Sequence, residues 1–130
     1  MDVKKVVLIN PPLHYADGLP SSLDATVPPL GIMYVASYIN EYSKDFKASI
    51  IDVSAEQLTL GQIAARIKKD IPFVVGITAM TPQLQGTVEL ARFLKDKNPD
   101  LKIFLGGSHI SGDPDFINRY SDLFDYAITG

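Results

Sequence analysis

Five short, mostly β-branched runs punctuate the sequence: Lys5 to Asn10, Lys47 to Val53, Phe73 to Thr78, Lys102 to Gly107 and Asp125 to Thr129. They are near-continuous rather than alternating in polarity. A strand that shows water neither face reads this way, and such strands belong to parallel sheets. Between the runs the apolar period changes to that of a helix. After Pro29, residues Ile32, Val35, Ala36 and Ile39 share one face. After Thr59, a plausible N-cap, the stripe is Leu60, Ile63, Ala64 and Ile67. After Thr81 and Pro82 it is Leu84, Val88, Ala91 and Leu94, with Lys95 and Lys97 near the C-terminal end. A shorter pattern, with Asp113 before Pro114, predicts a fourth helix.

Strand and helix therefore alternate throughout, and crossovers of this length imply parallel strands joined right-handedly. The expected class is α/β: a flavodoxin-like (Rossmann-like) five-stranded parallel sheet, order 2-1-3-4-5, with helices on both faces. Its binding edge is the carboxyl side of the strands, near the switch point between strands 1 and 3. The sequence stops at Gly130, directly after strand 5, where a fifth helix would be expected and is missing. Residues 1–130 thus read as one domain, an N-terminal piece excised from a longer protein.

Composition narrows the partners. A net charge of -3 leaves no basic footprint for nucleic acid. With no cysteine there are no disulfides, no thiolate metal sites and no local ligands for an iron–sulfur cluster. The N-terminal MDVKK has no signal-peptide pattern, and no apolar stretch is long enough to span a bilayer, so a cytoplasmic location is the expectation.

The carboxyl-side loops carry few of the usual nucleotide signals. No G-x-G-x-x-G follows strand 1, and there is no Walker A sequence. Asp52 could grip a ribose hydroxyl or simply cap a strand end. A phosphorylation receiver would need acids where Asn10-Pro11-Pro12 and Thr78-Ala79-Met80 stand. What remains is hydroxyls at Thr78 and Thr81 and a Gly106-Gly107 pair ending strand 4. Glycine there suits either a close ligand or a tight turn. Together they describe a broad, small-walled, neutral slot, better suited to a flat heterocycle than to a phosphate. No nucleophile–base pair stands out, so no catalytic residue is assigned.

The segments VLINPP (Val7 to Pro12), PPLGIMYVASYI (Pro28 to Ile39), SIIDV (Ser49 to Val53), VGITAMT (Val75 to Thr81), KNPDLKIFLGGSH (Lys97 to His109) and FDYAITG (Phe124 to Gly130) occur in this order. In that combination the chain resembles the N-terminal cobalamin (B12)-binding domain of cobalamin-dependent radical S-adenosylmethionine enzymes, in particular the anaerobic magnesium-protoporphyrin IX monomethyl ester oxidative cyclase-like group. The resemblance implies cobalamin lying across the strand ends, its nucleotide tail in a groove between them and its corrin over the loops. The residues it implicates are Asn10, Pro11, Pro12, Leu13, Leu30, Gly31, Thr78, Ala79, Met80, Thr81, Gly106, Gly107, Ser108 and His109.

B12-binding domains of the methionine synthase type carry an Asp-x-His-x-x-Gly loop after strand 1. Around His14 the aspartate position holds Pro12 and the glycine position holds Asp17. A ligating imidazole usually has its second nitrogen held by a carboxylate. The resemblance therefore implies cobalamin without histidine on cobalt, and His14 reads as a loop residue near water. It further implies a C-terminal radical domain in the parent protein, with S-adenosylmethionine and a [4Fe-4S] cluster. Two other readings stay open: a vestigial Rossmann-like packing or oligomerisation domain without cofactor, and a nucleotide-sugar or other small-molecule binder.

Overall fold

The structure, a computed structural model, describes residues 2–21 and 29–129. Pro28 of the second proline pair lies outside the described residues. In chain order the elements are β1 (Lys4–Asn10), a small hairpin of β2 (Tyr15–Ala16) and β3 (Leu19–Pro20), α1 (Leu30–Tyr42), β4 (Phe46–Asp52), α2 (Val53–Glu56), α3 (Leu60–Asp70), β5 (Val74–Thr78), a 3₁₀ turn (Thr81–Gln83), α4 (Leu84–Lys97), β6 (Ile103–Gly106), α5 (Ser108–Gly112), α6 (Phe116–Arg119) and β7 (Tyr126–Ala127).

The main sheet runs β4-β1-β5-β6-β7, every neighbouring pair parallel. This is the order 2-1-3-4-5 expected from the alternation of runs. The register aligns Ile50, Leu8, Gly76, Phe104 and Tyr126 in one row across the five strands. At Gly76 a side chain has no room: a Cβ would meet the Phe104 ring at 2.6 Å and Leu8 Cδ2 at 2.9 Å. The glycine lets the Phe104 ring lie across β5.

The strand periodicity of two splits the buried residues between two cores. Val7, Ile9, Val75, Ile77, Ile103 and Leu105 point to the side covered by α3 and α4, where Ile63, Ile67, Leu90, Ala91 and Leu94 meet them. Val6 and Leu8 point the other way, against Ile32 and Ala36 of α1, in a much smaller cluster. The same helix protects the sheet edge. The Asn40 side chain donates to Ala48 O at 3.0 Å and accepts from Ala48 N at 2.8 Å, satisfying backbone groups of edge strand β4.

Thr59 caps α3 as expected: its hydroxyl accepts from Gln62 N at 3.1 Å, and Gln62 Oε1 accepts from Thr59 N at 2.9 Å, a reciprocal capping box. Other elements differ from the sequence expectation. Val35 is exposed rather than part of the α1 stripe, because the burying arc is Ile32, Ala36 and Ile39. The α4 core face centres on Thr87, Leu90, Ala91 and Leu94, with Leu84 and Val88 only partly buried. The expected fourth helix shrinks to Phe116–Arg119, and a turn of helix forms earlier, at Ser108–Gly112. The β2–β3 hairpin turns on Asp17 and Gly18, both at positive φ, a pairing that favours tight hairpins.

Candidate functional site

The carboxyl ends of β1, β5 and β6 lie side by side, and each leaves its strand differently. After β1 the chain turns down against α4. Pro11 and Pro12 are buried, Gly86 N donates to Leu13 O at 2.9 Å, and a Cβ on Gly86 would sit 2.1 Å from Pro12 O. The hairpin then continues towards α3, where Leu60 N donates to Gly18 O at 2.9 Å, and Tyr15 enters the larger core. The proline loop is thus pressed onto the α3 and α4 side. His14 sits on it with its ring exposed.

At the switch point between β1 and β5 the space is taken by Gln83, which the sequence reading missed. Its Nε2 donates to Asn10 Oδ1 at 2.9 Å and to Pro11 O at 2.7 Å, while Oε1 accepts from Met80 N at 3.0 Å. Asn10 Nδ2 in turn donates to Asp52 Oδ1 at 3.2 Å. Asp52 also caps α2, accepting from Ala55 N at 3.4 Å, so its carboxylate is engaged within the fold. The only local sequence signal for Gln83 is its place three residues after Met80, a capping-box offset without the usual hydroxyl or carboxylate at the cap.

The β5 and β6 ends are open. Ala79 is buried, whereas Met80, Thr81 and Ser108 are exposed. The glycine pair divides into unlike roles. Gly107 has φ +105°, and a Cβ there would strike Ala79 O at 2.6 Å, Ala79 N at 2.7 Å and Thr78 Oγ1 at 2.9 Å. That glycine serves the protein's own backbone, where Ala79 N donates to Gly106 O at 2.9 Å and His109 N donates to Ala79 O at 3.2 Å. Gly106 is the opposite case: among the described residues a Cβ would have only Ile128 O within 4 Å, at 3.9 Å. Gly106 follows Phe104 at the strand spacing and pairs with Thr78, so it faces the α1 side of the sheet. Gly31, in the first turn of α1, likewise has nothing among the described residues within 4 Å of a Cβ position. Leu30 beside it is exposed. Since the α1 end pairs through Asn40 with β4, the α1 start lies at the carboxyl-side rim.

His109 is held sideways. Its Nδ1 lies 3.0 Å from Thr81 Oγ1, and its Nε2 lies 3.3 Å from Asp113 Oδ2. The Arg119 guanidinium, hydrogen-bonded to Asp113 at 2.6 Å, holds that carboxyl below the usual carboxylate range against the opposing cost of desolvation, and His109 adds to the lowering. Asp113 is a second residue the sequence reading did not single out for this rim.

A cleft of about 520 Å³ lies elsewhere, between α3 and α4, lined by Ala64, Ile67, Leu94 and Lys97 among others. None of its lining residues ends a strand, and it brings together no group of chemical note, so the rim is the better candidate. Among the described residues, no three His, Cys, Asp or Glu side chains gather as a metal site. Nor is any described helix long and apolar enough to cross a membrane.

Comparisons with known proteins bear on the family and the fold. The chain is 35% identical over 130 residues to an uncharacterized methyltransferase of Pyrococcus horikoshii, covering 100% of this chain and 27% of that protein. It is 27% identical over 105 residues to the anaerobic magnesium-protoporphyrin IX monomethyl ester cyclase of Rubrivivax gelatinosus, covering 81% of this chain and 18% of that enzyme. The chain therefore spans about a quarter or less of the curated relatives it matches. A solved 3-dehydroquinate dehydratase-like protein from Bifidobacterium longum superposes over 99% of this chain and 85% of its own, with TM-score 0.51 and 18% identity, a likeness of fold alone. Residues 19–130 match the family described as B12 binding domain. With most of its length so matched, on a five-stranded sheet of the expected order, the chain belongs to the B12-binding domain family.

Proposed function

We propose that this chain holds cobalamin over the carboxyl-side rim of its sheet, as a module for a radical S-adenosylmethionine domain of the same polypeptide. The observation that carries the reading is Gly106, whose missing side chain leaves open space among the described residues at the end of β6 instead of admitting protein backbone. Gly31 leaves a second gap among them at the start of α1. Thr78, Ala79, Met80, Thr81, Ser108 and His109 form the rest of the rim. The residues fit a flat, neutral ligand: the exposed groups are small, apolar or hydroxyl-bearing. Asn10, Pro11, Pro12 and Leu13 border the rim at the end of β1, locked by Gln83 and Gly86. Bound cobalamin would supply the reactivity, and the protein would supply position and shelter. His14, exposed on the proline loop, is not assigned to cobalt.

Both curated relatives are longer than this chain. One is named a methyltransferase and the other a cyclase, which supports a parent enzyme of either type. We assign S-adenosylmethionine and the [4Fe-4S] cluster to that parent on the sequence resemblance.

The test is retention of colour. Purified domain mixed with hydroxocobalamin and desalted is expected to keep the corrin bands; a colourless wild type would favour the packing-domain reading. Gly106→Val is expected to lose the colour at an unchanged melting temperature. Gly107→Val is expected to destabilise the fold itself by about 2 kcal/mol or more, because it forces a β-branched residue to positive φ against backbone. A Gly106→Val protein that retains cobalamin fully would remove the site from this rim.

A further inference from the structure

Thr81, His109 and Asp113 form a chain along the rim, from the 3₁₀ turn after β5 to the loop after α5. The His109 ring is mostly covered, with 16% of its side chain exposed, and Phe116 meets it edge-on at 5.4 Å. Thr81 is exposed at the outer end.

The polarity of this chain follows from its inner end. Asp113, paired with Arg119, is a carboxylate and can only accept. His109 Nε2 is cut off from solvent, and the Asp113 oxygen 3.3 Å away stands out of line for a good hydrogen bond yet close enough to select charge. A bare Nε2 lone pair facing that oxygen would be repelled, so the neutral ring keeps its proton on Nε2. Its Nδ1 is then an acceptor and takes the Thr81 hydroxyl proton. Thr81 is left to show lone pairs outward. Among the described residues, the charged groups recorded against the ring are Asp113 and, through it, Arg119.

We propose that the Thr81–His109–Asp113 chain sets the hydrogen-bonding polarity of the rim, making Thr81 an acceptor for an N–H donor such as a primary carboxamide of a bound corrinoid. The ligand half of this inference rests on the cobalamin reading; the polarity of the chain does not. His109 acts here as a positioning residue.

Two measurements separate the halves. In ligand-free protein, ¹⁵N spectra of the neutral imidazole should show His109 as the Nε2–H tautomer. An Nδ1–H tautomer would overturn the chain. Binding is read with cyanocobalamin. Thr81→Val is expected to bind about five- to tenfold more weakly than wild type, the worth of one hydrogen bond, while Thr81→Ser keeps the wild-type affinity. Wild-type affinity in Thr81→Val would sink the carboxamide contact. No binding by wild type would overturn the cobalamin reading and the ligand half with it, leaving the tautomer to judge the chain.

Discussion

Gln83 is a buried amide with every strong option used: two donations, to Asn10 and Pro11, and one acceptance, from Met80. It joins the ends of β1 and β5, elements separated by more than sixty residues of chain. Gln83→Leu keeps the volume but strands three partners, one of them a backbone N–H. We expect a loss of about 2–4 kcal/mol in urea unfolding, more than a lone surface hydrogen bond would give. At the same scale the glycine pair shows what a string of letters hides. Gly106 and Gly107 read alike in sequence, yet one leaves open space and the other admits Ala79 backbone. The difference lies in a neighbouring strand end, and no local pattern encodes it.

At the scale of elements, β7 is the shortest strand of the sheet and depends on one carboxylate. Asp125 Oδ2 accepts from Ile103 N at 2.8 Å and Lys95 Nζ at 2.9 Å, with Lys102 Nζ 3.8 Å from Oδ1. Burial opposes its charge, but the Ile103 amide and the two lysines together outweigh it and hold the carboxyl below its ordinary range. A carboxyl depressed on folding adds stability above its unfolded value, about 3.9, and loses it as the pH falls through the folded value. Asp125→Asn should therefore cost about 1 kcal/mol near neutrality, with the deficit shrinking below about pH 4. A deficit that persists unchanged into acid would show that the charge contributes nothing. Long elements were legible because their apolar period repeats: the five strands, α1, α3 and α4 all lie where the pattern predicts. Short ones were not. The hairpin did carry a signal, Asp17-Gly18, but with two residues a side it has no alternation to support it. The α5 turn at Ser108–Gly112 has a single buried residue, Ile110, and is held by a contact to Ala79 rather than by its own pattern.

Across the whole molecule the two faces of the sheet are unequal. The α3 and α4 side holds the large continuous core, while the α1 side rests on Val6, Leu8, Ile32 and Ala36. Beyond α1, Tyr126 and Ile128 remain exposed, as do Val35, Tyr38 and Tyr42 on the helix itself. Leu90→Ala, in the large core, is expected to cost about 2–5 kcal/mol. Val35→Ala, which the helical stripe alone would have ranked as a core change, should stay within about 0.5 kcal/mol. Thermal or urea melts of the pair decide it, and equal losses would mean that α1 is packed differently.

By itself the sequence determined the alternation of strands and helices, the parallel sheet and its strand order. Each follows from hydrophobic period and connection length, quantities that a chain carries locally. Only the tertiary structure decided which rim groups are free. Gln83 is consumed by β1, Gly107 by the end of β5, and His109 by Thr81 and Asp113, whereas Gly106 is left open. Those outcomes depend on distances between segments far apart in sequence, and such distances exist only once the sheet has brought the segments together.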